Sequence, residues 1–98
     1  MAVNQKLTHL LKDRIIQNMQ VNASEVTIGF FDGSALKMKI MESNSPPLRE
    51  QAHIRTISED QAKLLIECQD DSAFDVTLSE PGNAITVWDK NNQVEYLG

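Results

Sequence analysis

The chain has 98 residues, a formal net charge of −5, and hydrophobic residues at 41%, enough for one domain, residues 1–98, with a single small core. No apolar run approaches the ~20 residues of a membrane-spanning helix. The acidic balance argues against sequence-independent attraction to DNA or RNA phosphates, which relies on Lys and Arg.

The single cysteine, Cys68, has no partner for an internal disulfide. The first residues break their apolar positions with Lys6, His9, Lys12, Asp13 and Arg14, unlike a signal peptide. Both features point to a reducing, cytoplasmic setting. The sequon at Asn22-Ala23-Ser24 is then a chance match.

Residues 4–20 are expected to form an amphipathic helix. Leu7, Leu10, Leu11, Ile15 and Met19 fall at helical spacing, and Asn4 supplies an N-cap oxygen. From residue 25 the period changes to two. Val26, Ile28 and Phe30 face one way, and Leu36, Met38 and Ile40 form a second inward set. Asp32-Gly33 between them suits a tight turn, because glycine tolerates positive φ. Residues 42–51, with Pro46 and Pro47, are expected to be an exposed loop.

"AHIRTI" reads as a short strand. Residues 58–70 fit two patterns. Ser58 with Gln61 resembles a capping box, whereas Leu64, Ile66 and Cys68 alternate like a strand. We favour a turn at 58–61 and a strand at 62–69. "AFDVTLS" alternates with Phe74, Val76 and Leu78 inward. "AITVWD" and "QVEYLG" read as strands around a turn at Lys90-Asn91-Asn92. One helix followed by five to seven short antiparallel strands across 25–97 predicts a mainly β chain, closed into a small barrel that leaves few open edges.

The residues assemble no catalytic constellation. Cys68 lies on an apolar strand face and is expected to be a buried hydrophobe. His9 and His53 stand apart, with no zinc-ligand spacing. Asp70, Asp71 and Asp75 lack the regular acidic spacing and central glycine of a calcium loop and read as a solvated turn. No cofactor or metal is expected. Phe31 and Trp88 are the aromatics expected to face outward, more in keeping with an intersubunit contact than with stacking on a nucleic acid base on an acidic chain.

"VTIGFFDGSALKMKIMESN" resembles the first signature motif of Sm-like (Lsm) proteins. The match runs through Val26, Ile28, Phe30, Asp32, Gly33, Leu36, Ile40 and Asn44. A helix ahead of the first strand suits that family, and "LLIECQDD" resembles its third strand. Met38 stands where the family has a glycine at a bend. The second signature motif, with its Arg-Gly or Lys-Gly pair, is absent. The resemblance implies a small, strongly bent antiparallel barrel of the Sm-like, SH3-like kind, without enzymatic activity. It also implies self-association through strand edges into rings, with RNA near the pore. Asn44 is the one RNA-contacting position that carries over. An accessory or phage-type protein-interaction barrel without RNA is the alternative.

Overall fold

The computed structural model describes all residues, Met1–Gly98. It is mainly β, with one short helix near the N-terminus and a curled antiparallel sheet forming a small bent barrel, the expected fold class.

The expected helix over 4–20 is much shorter. α1 spans Gln5–Leu11, and Asn4 caps it by accepting the Leu7 N–H at 3.0 Å. It ends because Lys12 turns extended and Asp13 takes a positive φ of 69°. The residues beyond it form a strand, β2 (Ile16–Val21), preceded by a two-residue β1 (Ala2–Val3) at the chain start. Ile16, not Ile15, is the fully buried side chain. A seven-residue helix cannot sustain itself in water. Burial of Leu7 and Leu11 holds it, and so does Thr8, whose hydroxyl donates to the Ile57 carbonyl and accepts the Ile57 N–H.

The hairpin forms as expected. β3 (Glu25–Phe30) pairs with β4 (Ala35–Ser43), and Val26, Ile28, Phe30, Leu36, Met38 and Ile40 are all buried. In the turn, the Asp32 carboxylate accepts the Ser34 N–H at 2.9 Å. Gly33 has φ +89°, and an added Cβ would lie 3.0 Å from the Lys90 Cβ. Gly33→Val is therefore expected to cost about 1–3 kcal/mol, from left-handed strain and crowding together. A shift of the urea midpoint below the equivalent of about 0.5 kcal/mol would show that this turn relaxes freely.

The bend of β4 is not at Met38. One side of β4 pairs with β3. The other pairs first with β8 (Ile85–Trp88), through Ala35–Met38, and then with β7 (Ala73–Leu78), through Ile40–Ser43. The register shifts between Ile40 and Glu42 and leaves Met41 67% exposed. A bulge bends its strand and raises the local twist, so β4 turns from one half of the barrel to the other without a glycine.

β5 (Ile54–Asp60), β6 (Lys63–Cys68) and β7 make a meander. Residues 63–68 are strand. The turn expected at 58–61 lies instead at Gln61-Ala62, with Gln61 at φ +55°, and Ser58 is buried within β5. The capping-box pattern goes unused because strand pairing takes the backbone. The loop expected at 42–51 begins after Ser43. It is not wholly exposed, since Leu48 is buried and its N–H points to the Met19 sulfur at 3.2 Å.

The sheet order is β1-β5-β6-β7-β4-β3-β2, and β8 carries β9 (Val94–Leu97) on its far side. The barrel closes where Ile15, just before β2, bridges His53, just before β5. There the Ile16 N–H donates to the Ala52 carbonyl at 2.9 Å, and the Ile54 N–H to the Arg14 carbonyl at 3.1 Å. The enclosed core holds Phe30, Phe74, Leu7, Leu11, Ile28, Leu36, Ile57 and Ile66 among its buried side chains.

Candidate interaction surfaces

Turn chemistry places the polar residues. Asn22, Asp32, Asp70 and Asp89 each open a tight connection and accept the backbone N–H two residues on, at 2.8–3.0 Å. Such side chains mimic a backbone turn. The acidic pair Asp70-Asp71 is thus a solvated turn, with Asp71 at φ +68°. No group of three His, Cys, Asp or Glu side chains is placed to hold a metal.

Two of these carboxylates are perturbed. Partial burial works against the charge of Asp32, but hydrogen bonds from Ser34 and the Arg14 guanidinium hold its pKa below the ordinary 3.8. Hydrogen bonds from Ser72 lower Asp70 in the same way. A carboxylate whose folded pKa is depressed adds stability above its unfolded value and loses it as pH falls through the folded one. Stability is expected to be level above about pH 5 and to decline below the ordinary carboxylate range, with a shallower decline in Asp32→Asn/Asp70→Asn. Urea midpoints between pH 2 and 6 check this, and equal slopes in the two proteins would remove these turns as the cause.

The other singled-out residues lie apart. Cys68 is fully buried, and that burial pushes its thiol pKa up, which makes it inert rather than nucleophilic. His53 is exposed at the barrel seam, and His9 is exposed on α1. Trp88 is half-buried. Asn44 is exposed beyond β4, and its backbone N–H donates to the Asp75 carbonyl at 3.1 Å. Ser45 donates to the Asp75 carboxylate, so Asp75 fastens the loop to β7. Three cations are in ion pairs: Arg14 with Glu95 and Asp32, Lys37 with Glu25, and Arg55 with Glu67 and Asp71.

Two surfaces remain without an internal backbone partner. The first surrounds Phe31, 53% exposed, where Ile15, Gln51 and His53 line a shallow depression beside the seam. An adjoining hollow of about 420 Å³ adds Lys12, Asp13, Arg14 and Asp32.

The second surface is the outer edge of β9. Gly98 and Ile85 exchange backbone hydrogen bonds, with Gly98 donating at 2.9 Å and Ile85 at 3.4 Å. Leu97, the next residue along and opposite Thr86, therefore turns its N–H and C=O away from β8. Val94 and Leu97 are 53% and 72% exposed. The sequence signals these strands but not which of them lies at an edge.

Compared with protein-family models, with curated proteins and with solved structures, the chain matches none.

Proposed function

We propose that the protein is a non-enzymatic, Sm-like barrel that works as a homo-oligomeric ring in the cytoplasm, its copies joined through strand edges. The open edge of β9 carries this reading. Three strands have an unpaired side. β1 is only two residues long, and short edges pair poorly. The start of β2 is occupied, since the Gln51 N–H donates to the Ile16 carbonyl at 2.6 Å. β9 has no Lys or Pro in Val94–Leu97, carries two exposed apolar side chains, and presents the Leu97 backbone outward.

β2 and β9 end the same run of strands, β2-β3-β4-β8-β9. Pairing β9 of one copy with the rest of the β2 edge of the next continues the sheet head to tail, a contact type that generates rings when the rotation closes. RNA has a smaller place in this reading. Asn44 is its one family position, the chain is acidic overall, and three of its nine basic side chains, Arg14, Lys37 and Arg55, are engaged in ion pairs.

The test is the native mass of the purified protein, recorded with its absorbance at 260 nm. The expected result is a particle several times 11.0 kDa with a protein-like spectrum. A monomer at micromolar concentration overturns the proposal. Excess 260 nm absorbance that nuclease removes would bring RNA into the function.

The Phe31 surface favours a second reading, a barrel that docks another protein. Phe31→Ser would then weaken that complex while leaving self-association unchanged. Equal binding by both forms would set this reading aside.

A further inference from the structure

We infer that the N-terminal segment, residues 4–14, guards the β9 edge against a second copy of this chain. The inference rests on the strand-edge reading of function.

The segment sits between β5 and β9, and its attachments to them differ. Backbone bonds fix it to β5. The Asn4 N–H donates to the Ile57 carbonyl at 2.8 Å and the Asp13 N–H to the Ile54 carbonyl at 2.9 Å. Toward β9 it reaches only with side chains. The Asn4 amide donates to Glu59 on β5 at 2.5 Å and to the Tyr96 hydroxyl on β9 at 3.0 Å. Both terminal nitrogens of Arg14 donate to the Glu95 carboxylate at 3.3 Å. The Lys6 ammonium lies 5.9 Å from the centre of the Tyr96 ring.

The segment is thus fixed on one side and held by breakable links on the other. Proteins often blunt an open edge by covering it with a helix or loop. An added strand must enter between β9 and this segment, so its pairing competes with the Arg14–Glu95 and Asn4–Tyr96 links. A head-to-tail partner suits the edge once it is open. The β2 residues Gln17, Asn18 and Gln20 are uncharged and set no like charge against Glu95. A β9-to-β9 pairing centred on Glu95 would oppose two carboxylates.

The experiment compares self-association of the full chain by sedimentation equilibrium for wild type, Arg14→Gln, Glu95→Gln and Tyr96→Phe. Tyr96→Phe removes only a hydroxyl acceptor, so it keeps the test alive if Arg14→Gln folds poorly. Each variant is expected to associate roughly threefold more tightly, the scale of one exposed ion pair or hydrogen bond. Arg14→Gln/Glu95→Gln is expected to match either single change, because both break the same link. The monomer's Tm should not rise, so the gain cannot be read as added stability. If wild type associates and the variants associate equally or more weakly, the guard is refuted and the assembly reading stands. If wild type and every variant remain monomeric, both fail.

Discussion

Leu11→Ala is expected to lower the unfolding free energy by about 2–5 kcal/mol, a large share of the roughly 5–15 kcal/mol of a small domain. Leu11 is fully buried and is the last residue of α1. Deleting its side chain leaves a void among close-packed neighbours, and a helix of this length has no stability of its own to resist. The damage should spread to the seam, because the Asp13 N–H and Arg14 carbonyl that follow Leu11 pair with Ile54. A urea titration checks it. The midpoint should fall with little change in slope if the whole barrel still unfolds as one unit. A loss under about 1 kcal/mol would make α1 an ornament on the barrel rather than part of it.

The same region shows where sequence reading ran out. Over residues 4–20, Leu7 and Leu11 satisfy a helical period, and Ile15 and Met19 continue the same spacing. A window this short cannot separate a long helix from a short helix followed by a strand. What decides is remote. β3 offers a strand edge to residues 16–21, and Ala52–Ile54 offers backbone partners to Arg14–Ile16. By contrast, Val26–Ile40 and Phe74–Leu78 alternate so regularly that their buried faces are readable directly, as the core confirms. A one-residue slip there would expose the whole apolar set.

The candidate surfaces were less legible than the strands. Phe31 stood out because it follows the inward Phe30 and must face the other way, and it is exposed. The Arg14–Glu95 pair, 81 residues apart, leaves no mark in a linear pattern. Nor does alternation say which strand lies at an edge, because each strand reads alike until its neighbours are known. Met38 illustrates the reverse error. The resemblance placed a bend there, but the bulge at Met41 supplies the turn, and Met38 packs fully inside.

Under the proposed strand-edge assembly, Leu97→Pro is expected to reduce the native particle to 11.0 kDa while leaving the barrel folded. The Gly98–Ile85 bonds place the Leu97 N–H on the outer side of β9, so proline removes a donor that the ladder to β8 does not use. An outward-facing edge position is one of the few in a sheet where proline is tolerated. A strand docking from outside needs that N–H and meets the pyrrolidine ring instead. Leu97→Lys approaches the same edge by another route, adding the kind of charge that natural edges carry against pairing. Its 72% exposed parent side chain leaves room for the change. Native mass with far-UV circular dichroism separates the effects, because lost mass with retained β signal isolates the interface from the fold. An unchanged mass in both variants would take β9 out of the proposed interface and leave β2 as the longer unpaired edge to test next.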